Sequence, residues 1–137
     1  MRLESLCWLA CCALLAASCS FRDARVIELD HTGGIIDLRT QLDGSWDRVC
    51  LLMPYATSGQ AERLLGFSYS PEVHSAIAVM DDRTLLVTAS GDEVVGSFEV
   101  MRRNADFTQL GPSCYKRPKA VFNIRPKEDG WNEISAI

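Results

Sequence analysis

Apolar residues in this chain fall into short blocks and period-two runs divided by turn signals, a pattern that predicts strands with one amphipathic helix. Residues 6–17 are apolar throughout, and the chain turns polar at Ser20, Arg22, Asp23 and Arg25. Val26, Ile27 and Leu29 predict a strand that Gly33 and Gly34 interrupt. Residues 35–42 satisfy two patterns at once. Ile36, Leu38 and Leu42 fit period two, whereas Ile35, Leu38 and Leu42 fit a helical stripe, so this segment is left open. After the turn signal Asp43-Gly44-Ser45, the block from Trp46 to Met53 is apolar on both faces. Trp46, Cys50 and Leu52 are expected on one side, with Val49, Leu51 and Met53 on the other, which marks a central strand.

Pro54 ends that run, and Thr57 with Gln60 three residues later forms a capping-box pattern ahead of Ala61, Leu64 and Leu65. Gly66 is placed to stop this short helix in a left-handed conformation. Residues 75–80 and 84–89, flanking Asp81-Asp82-Arg83, read as a hairpin, and Ser90-Gly91-Asp92 leads into a further strand ending at Met101. In that strand Val94, Phe98 and Val100 are expected to share a face with Gly96, which allows a bulge or a close backbone neighbour. Residues 104–118 read as a loop containing Cys114. Ala120, Phe122 and Ile124 then define one face of a last clear strand, and residues 131–137 an edge. The expectation is a single α+β domain over residues 26–137, with an antiparallel sheet of about five or six strands and one short helix on one face.

The N-terminal apolar block has the length of a secretory h-region and is too short to span a bilayer. Arg2 supplies the positive n-region, and the block closes on Ala16-Ala17-Ser18-Cys19. This ending resembles the lipobox of bacterial lipoproteins, with Ala16 where that motif usually carries Leu. The resemblance implies a signal peptide over residues 1–18, acylation of Cys19, and a lipidated tether over residues 19–25. A chain held this way partners the bilayer through Cys19, since more than one acyl chain gives stable anchoring. Ser20 after the cysteine implies sorting to the outer membrane, facing the periplasm.

The formal net charge of the whole chain is -4, which argues against general nucleic-acid binding. Basic residues nevertheless crowd the last third: Arg102, Arg103, Lys116, Arg117, Lys119, Arg125 and Lys127. Such a cluster suits phosphate groups or an acidic envelope partner, and equally a solvated face that balances acidic neighbours.

Of six cysteines, Cys7, Cys11 and Cys12 fall in the leader and Cys19 takes lipid, leaving Cys50 and Cys114. Two thiols in an oxidising compartment predict one disulfide. Neither cysteine has C-x-x-C spacing or an adjacent histidine, which disfavours redox or zinc chemistry.

The run from Trp46 to Tyr55, together with Leu64-Leu65-Gly66-Phe67, Asp106-Phe107 and Cys114-Tyr115, resembles a diffuse group of small bacterial lipoproteins of unknown function. The resemblance covers most of the mature chain and implies an α+β fold in the envelope. It implies no activity.

Candidate chemistry is sparse. His31 and His74 are the only histidines, and neither lies in a nucleophile motif. Asp81-Asp82 and Asp92-Glu93 are pairs too small to supply the ~6–8 oxygen ligands of calcium. Thr32-Gly33-Gly34 lacks the remaining residues of a phosphate loop, so no cofactor is expected. Trp46 and Tyr55 bracket the central strand and, with Arg102, Arg103, Lys116 and Arg117, are the candidate contact residues. The expected role is a non-enzymatic, membrane-tethered periplasmic module that contacts an envelope protein or acidic component. The alternatives are a small hydrolase or peptidoglycan-modifying enzyme, and a toxin-neutralising inhibitor or structural envelope protein.

Overall fold

The computed structural model describes residues 23–137, so the expected leader over residues 1–18 and the acceptor Cys19 lie outside the described residues. The strand with two apolar faces is the centre of the molecule: β3 (Arg48–Leu52) buries Val49, Cys50, Leu51 and Leu52 almost completely. It pairs antiparallel with β4 (Arg83–Ser90) on one side and β6 (Ser113–Lys116) on the other. β5 (Glu93–Met101) continues antiparallel from β4, and β1 (Arg25–Ile27) adds to β5 in parallel, giving the order β1-β5-β4-β3-β6. A second antiparallel sheet, in the order β2-β7-β8, is built from β2 (Ile35–Asp37), β7 (Val121–Pro126) and β8 (Asn132–Ala136).

Two apolar layers follow from the alternation of β3. Val49 and Leu51 join Leu86, Phe98 and Val100 against Ile36, Phe122 and Ile134 of the smaller sheet, with Phe107 meeting Phe122 edge to face at 5.6 Å. Cys50 and Leu52 join Leu85, Val87 and Ala89 on the opposite face, where α2 (Ser58–Leu65) lays down Ala61 and Leu65. The fold is α+β and dominated by sheet, with a short helix on one face. Its strands divide between two sheets, and the parallel β1 makes the larger sheet mixed.

The helix forms where its signals place it. Thr57 Oγ1 accepts from Gln60 N at 3.3 Å and Gln60 Oε1 accepts from Thr57 N at 3.0 Å, so both partners of the capping box are engaged. Gly66 closes the helix at φ 85°, where a side chain is disfavoured. The open segment 35–42 resolves into both of its patterns in succession: β2, then the single turn α1 (Leu38–Gln41), capped by Asp37.

Four local expectations change. Residues 75–80 are not a strand. The chain forms α3 (Pro71–His74) and then a 3-10 turn at Ile77–Val79, because its polar groups find other partners. Ser75 Oγ and Ala76 N donate to Glu99 Oε1, Tyr55 N donates to the Ile77 carbonyl, and Ile77 is fully buried. The hairpin that forms is β4–β5, turning at Gly91-Asp92 where the Ser90-Gly91-Asp92 signal places it. Residues 113–116, expected in a loop, form β6, since their Cys114 pairs directly opposite Cys50.

Trp46 precedes β3 rather than belonging to it, and it packs with Val49 and Leu51, not with Cys50 and Leu52. The pairing of β5 with β4 shifts register between Thr88 and Ala89 of β4, so Thr88 pairs with Gly96 and Ala89 with Val94. The extra residue turns Val94 to the helix side, away from Phe98 and Val100.

Candidate functional site

The candidate contact residues separate along the strand axis of the larger sheet. β3 starts at Arg48 and β6 ends at Lys116, and these two residues are register partners. Trp46, Lys116 and Arg117 therefore gather at the end of the sheet where β3 begins. Tyr55 follows β3 at its other end, and Arg102 and Arg103 leave β5 at that same far end, where Met101 pairs with Arg83. Trp46 and Tyr55 do not line a common groove.

At the far end, Tyr55 is exposed and adopts φ 63°, the left-handed region that non-glycine residues seldom occupy. Arg102 is held by Asp106 through Nε and Nη2 at 3.1 and 3.2 Å, and its guanidinium lies 5.0 Å from the Trp131 ring centre. Burial pushes the Asp106 carboxyl up, but bonds from Arg102 and Thr108 outweigh it and hold the group below the usual aspartate range. Arg83 bridges Asp82 and the buried Glu99, at 2.8 and 2.6 Å. These charges fasten loops to the sheet edge, and Arg103 alone of this group points into solvent without an ion pair among the described residues.

The near end has a different character. Arg117 lies over the buried Trp46 ring at 4.5 Å and donates to the carbonyls of Gly44, Trp46 and Arg39 at 3.2, 3.3 and 3.1 Å. Backbone dipoles and a ring face hold it, and no carboxylate neutralises it among the described residues. Arg48, directly opposite Lys116, reaches the Leu65 carbonyl at the end of α2, Asp47 at 3.1 Å and the Phe67 ring. Asp47 also accepts from Gly91 N at 2.9 Å, and this bond together with Arg48 holds its carboxyl below the ordinary range. Lys116 and Lys119 are exposed and form no ion pair among the described residues. Arg48 was not among the candidate contact residues; its cross-strand partnership with Lys116 depends on the pairing of β3 with β6, which the local pattern does not carry.

The two histidines are separate. His31 sits in an exposed turn after β1, while His74 ends α3 with its ring stacked 5.4 Å from that of Tyr69. An open groove of about 560 Å³ lies at the β7–β8 turn, between Arg125, Lys127, Glu128, Asp129 and Glu133. Its charges pair internally, Arg125 with Glu133 at 2.9 Å and Lys127 with Asp129 at 3.7 Å. Among the described residues no group of three or more His, Cys, Asp or Glu is placed to hold a metal ion, and no helix is long and apolar enough to cross a membrane.

Cys50 and Cys114 form a disulfide between adjacent strands, with Cα atoms 4.0 Å apart. Cys50 is fully buried beneath α2, and Cys114 Sγ lies 3.4 Å from the Leu64 carbonyl oxygen. No protein-family model matches the chain, and no curated protein or solved structure matches it significantly.

Proposed function

We propose that the protein is a lipid-anchored periplasmic module that works by contact with envelope components rather than by catalysis. The observation that carries this reading is the Cys50–Cys114 disulfide, which suits an oxidising compartment, in a chain that opens with a short apolar block ending at Cys19. Acylation of Cys19 places a small binder beside its target and raises its effective concentration there. The contact surface is the near end of the larger sheet, where Lys116, Arg117 and Lys119 form no ion pair among the described residues and Arg117 lies over the buried Trp46.

Membrane fractionation with intact mass tests the anchor. Wild type is expected in the membrane fraction with a mass that begins at an acylated Cys19, and Cys19→Ser is expected in the soluble periplasm. Continued membrane association of Cys19→Ser, or an unacylated wild-type start, refutes the tether.

A further inference from the structure

We infer that the Lys116-Arg117-Pro118-Lys119 corner is a docking surface for an anionic bilayer, so that this end of the sheet rests on phosphate-bearing lipid headgroups. The inference rests on the tethered reading above and adds an orientation and a lipid class to it.

Strand direction supplies the first argument. β1 is parallel to β5, and β5, β4, β3 and β6 alternate in direction, so β1 runs the same way as β3 and opposite to β6. The chain therefore enters β1 from the end of the sheet where Arg48 begins β3 and Lys116 ends β6. Arg25 stands level with Phe98, Leu86, Leu51 and Ser113, three residues along β6 from Lys116. At ~3.3 Å per residue the start of β1 lies roughly 10 Å up the strand axis from Lys116.

The second argument is reach. Four peptide steps separate Cys19 from Asp23, the first described residue, and a chain spans at most ~3.6 Å per residue, so an acylated Cys19 keeps Asp23 within about 14 Å of the interface. Edge strands β1 and β6 are four strand spacings apart, about 19 Å at ~4.8 Å each, comparable with the tether. A domain resting on this end brings both the tether and the basic corner to the bilayer.

Charge supplies the third argument. Arg48 stands directly opposite Lys116 but is paired with Asp47 at 3.1 Å, so the free charge of this corner rests on the residues of and after β6. Lys116, Arg117 and Lys119 lack carboxylate partners among the described residues. The nearby acidic residues Asp37, Asp43 and Asp47 are engaged by Arg39, Arg25 and Arg48, and Asp92 and Glu93 sit at the β4–β5 turn, which leaves the charge of Lys116, Arg117 and Lys119 to meet an anionic surface. Each Lys or Arg near such a surface contributes on the order of 1 kcal/mol, equivalent to about fivefold in local occupancy.

The test uses full protein isolated from envelopes and reconstituted into vesicles of phosphatidylcholine, alone or mixed with phosphatidylglycerol. Amine-reactive labelling is read at Lys116, Lys119 and Lys127 by mass spectrometry. Lys127 is the control, because β7 leaves the Lys119 corner and runs to the opposite end before reaching it. Labelling of Lys116 and Lys119 is expected to fall about threefold or more in the phosphatidylglycerol vesicles and to recover in high salt, with Lys127 unchanged. Equal labelling in both vesicles, or a fall shared by Lys127, overturns the docking surface and leaves the tether standing. An unacylated mass overturns the tether and this inference together. Soluble phosphate added at the same ionic strength separates a free-anion site from a bilayer surface: protection of both lysines by phosphate alone overturns the bilayer assignment.

Discussion

Asn104 holds both backbone groups of Leu29, 75 positions away: its Oδ1 accepts from Leu29 N at 2.8 Å and its Nδ2 donates to the Leu29 carbonyl at 3.1 Å. One amide side chain thus does for the segment after β1 what a neighbouring strand does within a sheet. Its own carbonyl accepts from Asn132 Nδ2 at 3.2 Å, so the same residue links the segment after β1, the turn after β5 and the start of β8. Asn104→Ala leaves the N–H and carbonyl of buried Leu29 without these partners, at about 1–3 kcal/mol for an unsatisfied buried group. Urea unfolding is expected to show a loss of about 2–4 kcal/mol on that scale, and Asn104→Asp, which buries a carboxylate with one oxygen facing the Leu29 carbonyl, a loss at least as large near neutral pH.

The cross-strand disulfide closes a 64-residue separation that includes α2, α3, β4 and β5. In the chain-entropy picture such a closure contributes about 4 kcal/mol by restricting the unfolded chain. Cys50→Ala/Cys114→Ala is expected to unfold at lower denaturant by about that amount, and a strong reductant is expected to lower wild type toward the same midpoint while leaving the variant unchanged. A reductant effect on the variant contradicts this account.

Gly96 is required by what lies over it, since it has no positive backbone φ to accommodate. A Cβ there meets the Phe98 ring at 2.9 and 3.0 Å and Thr88 Oγ1 at 3.2 Å, inside a packed face that has little room to yield. Gly96→Ala is expected to cost about 1–3 kcal/mol through overpacking. Combining it with Phe98→Leu is expected to recover part of that cost, and a strictly additive double variant contradicts the steric origin.

Asp106 ties stability to acid. Its native carboxyl lies below the ordinary aspartate value of about 3.9, because Arg102 and Thr108 favour the charged form more than burial disfavours it. A group depressed in the folded state contributes stability that is present above its unfolded value and is lost as pH falls through its native value. Urea midpoints of wild type are expected to decline below about pH 4, and Asp106→Asn is expected to have a lower midpoint near neutrality and a flatter acid limb. An unchanged acid limb contradicts this assignment.

Local signals announced the elements that local chemistry decides. The Thr57–Gln60 box and Gly66 fix α2, the two apolar faces of residues 49–52 mark β3, and Gly91-Asp92 turns β4 into β5. Residues 75–80 form no strand because Glu99 captures Ser75 and Ala76 from a strand that local sequence does not connect to them. β6 was hidden for a related reason: four residues of mixed polarity become a strand only because β3 offers an open edge and Cys114 meets Cys50 there. The basic cluster was legible as composition, but its division between opposite ends of the sheet was not. Strand direction separates Lys116 and Arg117 from Arg102 and Arg103, and direction is a property of topology.

The parallel placement of β1 also has a mechanical meaning. A pull arriving through residue 23 from the Arg48 end runs along the axis of β1, so its ladder with β5 is loaded in shear and its bonds share the force instead of opening one after another. The Ala24–His74 backbone bond at 2.8 Å and the Arg25–Asp43 ion pair at 2.9 Å brace the same three-residue strand on either side of its entry. A leash attached there tugs against the strongest direction of the sheet.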